Sequence, residues 1–148
     1  MQNFIFSIKL KYCEQIFNGD KTVEFRRTQV RIASGDRIII YASSPIKAIV
    51  GSAIVEKSAW LSTTSLWKAT NQICGLSQQD FLNYFGDRTH GCGIWLQNPC
   101  KILNPIWLEA LRCGTIETAR LHPAIPSWMP PQNFRRLKDE EKHILPFL

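Results

Sequence analysis

The stretch GDKTVEFRR, residues 19–27, sets a lysine at 21, a glutamate at 24 and an arginine at 26, with small apolar residues threaded between them. In an extended chain, successive side chains point to opposite faces. Val23 and Phe25 then share a face that can pack on a core, while Thr22, Glu24 and Arg26 share the other. Lys21 stands just ahead of them, beside the Gly19 turn. Arg26 offers a planar fork suited to a phosphate or the edge of a base. Glu24 can accept from an exocyclic amine or orient Arg26. Lys21 can meet a phosphate as a point charge, and stripped of water beside Arg26 it could serve as a base or nucleophile. The plain alternative is a solvent-facing strand with one cross-face ion pair, worth under about 1 kcal/mol.

The flanking sequence supplies the elements that must hold these groups. FIFSIKL, 4–10, alternates like a strand. KYCEQIFNG, 11–19, has Tyr12, Ile16 and Phe17 at helical spacing and a left-handed stop at Asn18-Gly19. TVEFRR returns to period two. RIIIYA, 37–42, is apolar throughout, as in a strand buried on both faces. SSP breaks it, and IKAIVGSAIVEK, 46–57, reads as a long strand with a bulge or bend at Gly51. TTSLWKATNQIC and SQQDFLNYFG read as helices. The second opens on a capping box at Ser77 and Asp80 and closes at Gly86. GCGIWLQNPCKIL reads as a strand broken at Pro99. Strands mixed with short helices and a glycine bend suggest a small mixed barrel with helices covering its ends.

Two further stretches carry binding chemistry. In YASSP, Ser43 and Ser44 put hydroxyls and free N–H groups on a tight turn that can hold a phosphate or a base edge. An ordinary serine turn is the simpler alternative. PSWMPPQNFRRL, 126–137, sets Gln132, Asn133 and Arg135 among aromatic residues. Aromatic faces stack on unpaired bases, arginines hold the backbone, and amides read base edges. The alternative is a proline-rich tail packed over the barrel.

Composition bounds the partner. The chain has 148 residues, is 45% hydrophobic and 20% charged, and carries a net charge of +6, which fits a globular chain and favours an anionic partner, a soluble protein that happens to be basic being the plain alternative. Five cysteines at irregular spacings, with no secretory leader, read as reduced thiols of a cytoplasmic protein. The longest apolar runs are too short to span a bilayer. His90, Cys92 and Cys100 are the nearest His/Cys group and lack zinc spacing, so no metal and no cofactor is expected. Nothing cradles a nucleoside triphosphate or a dinucleotide.

Gly19, Lys21, Glu24 and Arg26 together resemble the G-x-K-x-x-E-x-R signature of the ASCH domain family, a branch of the PUA-like superfamily. GDRIIIYASSPIKAIVG (35–51), SQQDFLNYFG (77–86) and PPQNFRRL (130–137) are similar to the same family. The resemblance thus runs over nearly the whole chain, read as one ASCH domain over 1–148 whose last third is irregular and proline-rich. It implies an α+β fold, a PUA-like twisted mixed β-barrel with short helices at the rim. It also implies a cleft suited to RNA, single-stranded nucleic acid or a modified nucleoside, as in RNA-binding modules of transcription or translation. Lys21, Glu24 and Arg26 would form its floor, Tyr41, Ser43, Ser44 and Lys47 one wall, and Gln132, Asn133 and Arg135 the other.

Two enzymatic alternatives come with the family. One subgroup removes the acetyl group from N4-acetylcytidine with a lysine that Lys21 matches, but it has threonine where this chain has Glu24. Another is described as a single-strand ribonuclease whose tyrosine and lysine match Tyr41 and Lys47. Its serine falls at Asn133, which can orient but not act as an acid or base. A protein-interaction module docking an acidic partner is the remaining alternative.

Overall fold

The computed structural model describes residues 1–117 and 120–148. Its centre is a mixed six-stranded sheet that curls into a half-closed barrel. In chain order the elements are β1 (Asn3–Ile8), α1 (Leu10–Asn18), β2 (Val23–Arg26), β3 (Arg37–Ala42), β4 (Ala48–Ser62), α2 (Thr63–Thr70), α3 (Gln78–Phe85) and β5 (His90–Trp107). α4 (Leu108–Cys113), a small β6–β7 hairpin (Thr115–Glu117, Arg120–His122), β8 (Phe134–Arg136) and a C-terminal 3-10 helix (Asp139–Phe147) follow. The strand order is β2-β5-β4-β3-β1-β8. β1 and β3 run parallel, and the other neighbours in the sheet are antiparallel. The α+β barrel-like architecture with short helices around it is the one expected.

Local signals set most boundaries. α1 stops at Gly19, whose φ is 87°. The Ser77 hydroxyl accepts from Asp80 N–H at 3.1 Å to open α3, satisfying one of the orphan donors every helix start carries. At Gly51 the β3–β4 pairing shifts register, a bulge that bends the long strand.

Pro99 does not break β5 as expected. Asn98 takes a φ of 49°, and the pairing to β4 steps from Gln97 to Cys100 across that point. Proline is tolerated there because this half of β5 faces β2 nowhere along its outer edge, so the missing N–H costs no ladder bond. The last third, read as irregular, supplies α4, β8 and the 3-10 helix.

Three apolar clusters fix the layers. α1 packs over the inner face of the sheet, with Phe6, Ile8, Cys13, Ile16, Ile40 and Ile94 in that core. The outer face buries Ile5, Ile39, Tyr41 and Ile106 beneath Leu111, Trp128 and Ile144. α2 and α3 cover Val23 and Phe25 of β2 with Leu66, Phe81 and Phe85. Burying a side chain of this size contributes roughly 1.5–3 kcal/mol, so two such residues anchor a four-residue edge strand.

The C-terminal 3-10 helix is clasped to β8, which itself pairs with β1. Arg135 clasps Glu141 through two hydrogen bonds of 2.6 and 2.7 Å, and Lys138 N–H donates to the same carboxylate at 2.8 Å. Burial pushes the Glu141 carboxyl up, but those hydrogen bonds and the Arg135 charge outweigh it and hold the group below its ordinary value. A depressed carboxyl stabilises the fold fully above its unfolded value and loses that contribution as pH falls through the folded value. Glu141→Gln should cost about 3 kcal/mol at neutral pH. It should also flatten the acid limb of stability against pH, measured by urea unfolding between pH 7 and pH 3. An unchanged acid limb would contradict the clasp.

Candidate functional site

Lys21, Glu24 and Arg26 come together along β2, with the Glu24 carboxylate between the two cations. Lys21 Nζ lies 3.4 Å from Glu24 Oε2, and Arg26 Nη2 lies 3.1 Å from Glu24 Oε1. All three are nearly sealed, at 2%, 7% and 6% exposure. The cations also hold backbone carbonyls. Lys21 Nζ donates to Cys74 O at 2.8 Å and Arg26 Nη2 to Ser7 O at 3.3 Å. Aromatic rings close the remaining sides: Lys21 Nζ is 5.2 Å from the Tyr12 ring and 5.3 Å from the Phe25 ring, and the Arg26 guanidinium lies 4.7 Å from the Phe6 ring.

The backbone is held for this purpose. Lys21 N–H donates to Gln15 O and Thr22 N–H to Ile73 O, both at 2.9 Å. The entry to β2 is thereby pinned between α1 and the loop after α2. Gly75 in that loop has a φ of 70°, and a Cβ there would strike the Gln15 side chain and crowd Lys21. Only glycine combines that backbone with so close an approach.

The three groups form the floor of a cleft of about 700 Å³. Its lining carries five cations, Lys9, Lys11, Lys21, Arg26 and Arg27, against two carboxylates, Glu24 and Asp80. Tyr12 and Tyr84 contribute ring faces. Lys11 Nζ sits 4.7 Å from the Tyr12 ring and the Arg27 guanidinium 4.6 Å from the Tyr84 ring. Tyr84 OH donates to Phe25 O at 2.9 Å, and its pKa is raised by burial, partly offset by Arg26. Gln132 and Asn133 close the third side. They are positioned by Ser7, whose N–H donates to Asn133 O at 3.0 Å and whose hydroxyl donates to Pro131 O at 2.5 Å.

Two buried thiols, Cys13 and Cys92, are disfavoured as thiolates. Burial, reinforced by the Glu24 charge, pushes Cys13 up to about 12, and burial raises Cys92. Among the described residues, no three His, Cys, Asp or Glu side chains gather closely enough to hold a metal ion.

The other sequence candidates fall outside the cleft. Tyr41 points to the outer face, its ring 5.5 Å from Trp128. Burial raises its pKa, with Arg112 partly offsetting. The reason is alternation: Ala42 faces the inner core, so its neighbour faces outward. Lys47 is exposed on the turn after β3, with a φ of 55°, and lines a separate groove beside Trp107 and Arg112. Ser43 leans on β1, its N–H and hydroxyl donating to Ile8 O at 3.0 and 3.4 Å, and Ser44 is exposed beside it. Arg135 is committed to Glu141, because Phe134 takes the face against Phe6. The expected wall of Tyr41, Ser43, Ser44 and Lys47 therefore does not line this cleft, and neither does Arg135.

Sequence reasoning missed Tyr12, Tyr84, Lys9, Lys11 and Arg27. A signal for the lysines existed. Lys9 is the N-cap of α1 and Lys11 lies in its first turn, with no acid there. Cations at the positive end of a helix oppose its dipole by a few tenths of a kcal/mol each, so stability does not explain them.

Removing the carboxylate would strand two buried cations. Glu24→Ala should destabilise the fold by about 3–5 kcal/mol, read as a lower urea midpoint. A loss under about 1 kcal/mol, the size of a surface pair, would contradict the geometry.

Comparison with known proteins gives three findings. Residues 1–111 match a family model described as Domain of unknown function (DUF365). The chain is similar to a protein of Zymomonas mobilis named ASCH domain-containing ribonuclease, 29% identical over 141 residues that span 95% of this chain and 88% of the relative. A crystal structure titled ASCH from Zymomonas mobilis superposes with a TM-score of 0.83 at 29% identity, covering 97% of this chain and 93% of that one. A tyrosine-to-phenylalanine variant of the Zymomonas protein superposes with the same TM-score at 28% identity, covering 98% and 96%.

Proposed function

We propose, for a chain that belongs to the DUF365 family and is an ASCH domain, that it binds single-stranded RNA through the cleft above Lys21, Glu24 and Arg26. The observation that carries this reading is the combination at one mouth of basic and aromatic groups. Lys9, Lys11 and Arg27 stand exposed around the half-buried rings of Tyr12 and Tyr84. Cations track phosphates, and aromatic faces stack unpaired bases without needing a sequence. Gln132 and Asn133 supply amides that can donate to or accept from a base edge.

The floor acts by position. Both Glu24 oxygens already meet a cation, and Lys21 is closed in by two rings, so neither group contacts the RNA directly in this arrangement. Lys21 is a positioning residue that keeps Glu24 and Arg26 fixed beneath the mouth. The single-ligand alternative, hydrolysis of N4-acetylcytidine by Lys21, would need that ammonium to leave Cys74 O and Glu24 and emerge past Tyr12.

RNA binding of this kind depends on displaced counterions. Lys9→Ala with Lys11→Ala should weaken binding of a labelled oligouridylate at least tenfold and lower the slope of log affinity against log salt by about two. A slope near zero for the unaltered protein would overturn phosphate-driven binding.

Metal-independent RNA cleavage is the second reading, favoured by the ribonuclease name of the Zymomonas relative. In such cleavage a base takes the 2′-OH proton, the 2′-oxygen attacks phosphorus, and an acid protonates the departing 5′-oxygen. Lys47 would stabilise the phosphorane charge. Tyr41 would give its phenolic proton to the departing oxygen, a transfer that burial opposes by raising its pKa. Its ring is 2% exposed, so the Trp128 segment would have to part to admit substrate. Incubation of labelled single-stranded RNA with chelator should then yield 2′,3′-cyclic phosphate ends. Lys47→Ala and Tyr41→Phe should each lower the rate at least tenfold, with Lys21→Ala far less harmful where the fold survives. Absence of product from the unaltered protein would leave binding alone.

A further inference from the structure

The cleft and the Lys47 groove open at the same end of the sheet. The register places Ile8 beside Ala42, Ala42 beside Ala48, and Ala48 beside Trp107. This is one row across β1, β3, β4 and β5. Three interstrand steps of about 4.8 Å put the row near 14 Å in length. Ile8 and Lys9 lie on the cleft lining. At the other end is a second concavity of about 440 Å³ that includes Lys47, Trp107, Glu109 and Arg112.

The turn between β3 and β4 bridges the two. Ser43 holds Ile8 O at one end of it. At the other end Leu108 N–H donates to Lys47 O at 2.8 Å, which fixes Lys47 against the start of α4. Lys47 keeps a left-handed backbone, with a φ of 55°, that is strained for a non-glycine residue. Arg112 lines the concavity from α4, its Nε donating to Trp128 O at 3.1 Å and its Nη2 to Met129 Sδ at 3.3 Å. Trp107 is 47% exposed, a large apolar surface left open beside two cations.

We infer that this end of the sheet is a continuous track for single-stranded RNA. It runs from the Lys9–Tyr12 side of the cleft across Ser43 and Ser44 to a stacking platform on Trp107, with Lys47 and Arg112 on the phosphates. The inference rests on the RNA reading of the cleft and extends it. About 14 Å corresponds to roughly four nucleotides at the stacked spacing of 3.4 Å, so the substrate is an oligonucleotide and not a free nucleoside. The charge complement is the argument for nucleic acid at the second concavity: two cations and an open indole face one carboxylate, Glu109.

The test compares a uridine dinucleotide with an eight-residue oligouridylate. The octamer should bind at least tenfold tighter than the dinucleotide. Trp107→Ala should remove about tenfold of octamer affinity, the scale of one stacked base, with dinucleotide affinity unchanged. Lys47→Gln, on an exposed side chain, should lower the octamer salt slope by about one. Octamer binding that survives both substitutions yet falls with the Lys9 and Lys11 substitutions would overturn the track and leave the cleft standing. An octamer that the unaltered protein does not bind would overturn both.

Discussion

Glu24 carries a charge at 7% exposure, which water alone no longer supports. Its stability there depends on Lys21 and Arg26, each within ion-pair distance, and theirs depends on it. A buried ion triad is rarely the most stable filling of a core, since apolar residues of like volume often do as well or better. What it contributes is geometry. The cations reach past the carboxylate to Cys74 O and Ser7 O, tying β2 to the α2–α3 loop and to β1. One edge of the curled sheet, β2, is thereby tied across to β1, the neighbour of the other edge strand, and the cleft lies over that junction.

Other features serve that junction from further away. Val23 and Phe25 anchor the opposite face of β2 under α2 and α3. The Glu141 clasp on Arg135 secures β8, and with it the preceding Gln132 and Asn133. Ser7 connects these parts, since it receives Arg26 through its carbonyl and positions residues 131–133 through its N–H and hydroxyl. A rigid, largely neutralised floor under a basic, aromatic rim suits an unpaired base with its phosphates, because the rim supplies attraction and the floor supplies shape.

Much of this was readable from local pattern. Period-two alternation separated Val23 and Phe25 from Glu24 and Arg26, and the Gly19 stop and Ser77 cap fell where their chemistry required. What failed depended on which side of the sheet faces inward. RIIIYA is apolar on both faces, so nothing in it tells that Ala42 looks into the barrel and Tyr41 out. Arg135 reads as a ligand group in the sequence because its partner, Glu141, lies six residues on in a segment with no helical period. Tyr12 and Tyr84 were hidden for a different reason. Each looks like an ordinary helix residue until α1 and α3 are brought to opposite sides of β2, a long-range outcome that no local window contains.

The most direct test of the central claim is a backbone amide NMR titration of the protein with a short oligouridylate. The account expects the largest shift changes at residues 7–12, 24–27, 83–84 and 132–133, around the three-charge floor. Saturable changes confined to other surfaces, with those amides unmoved, would contradict it.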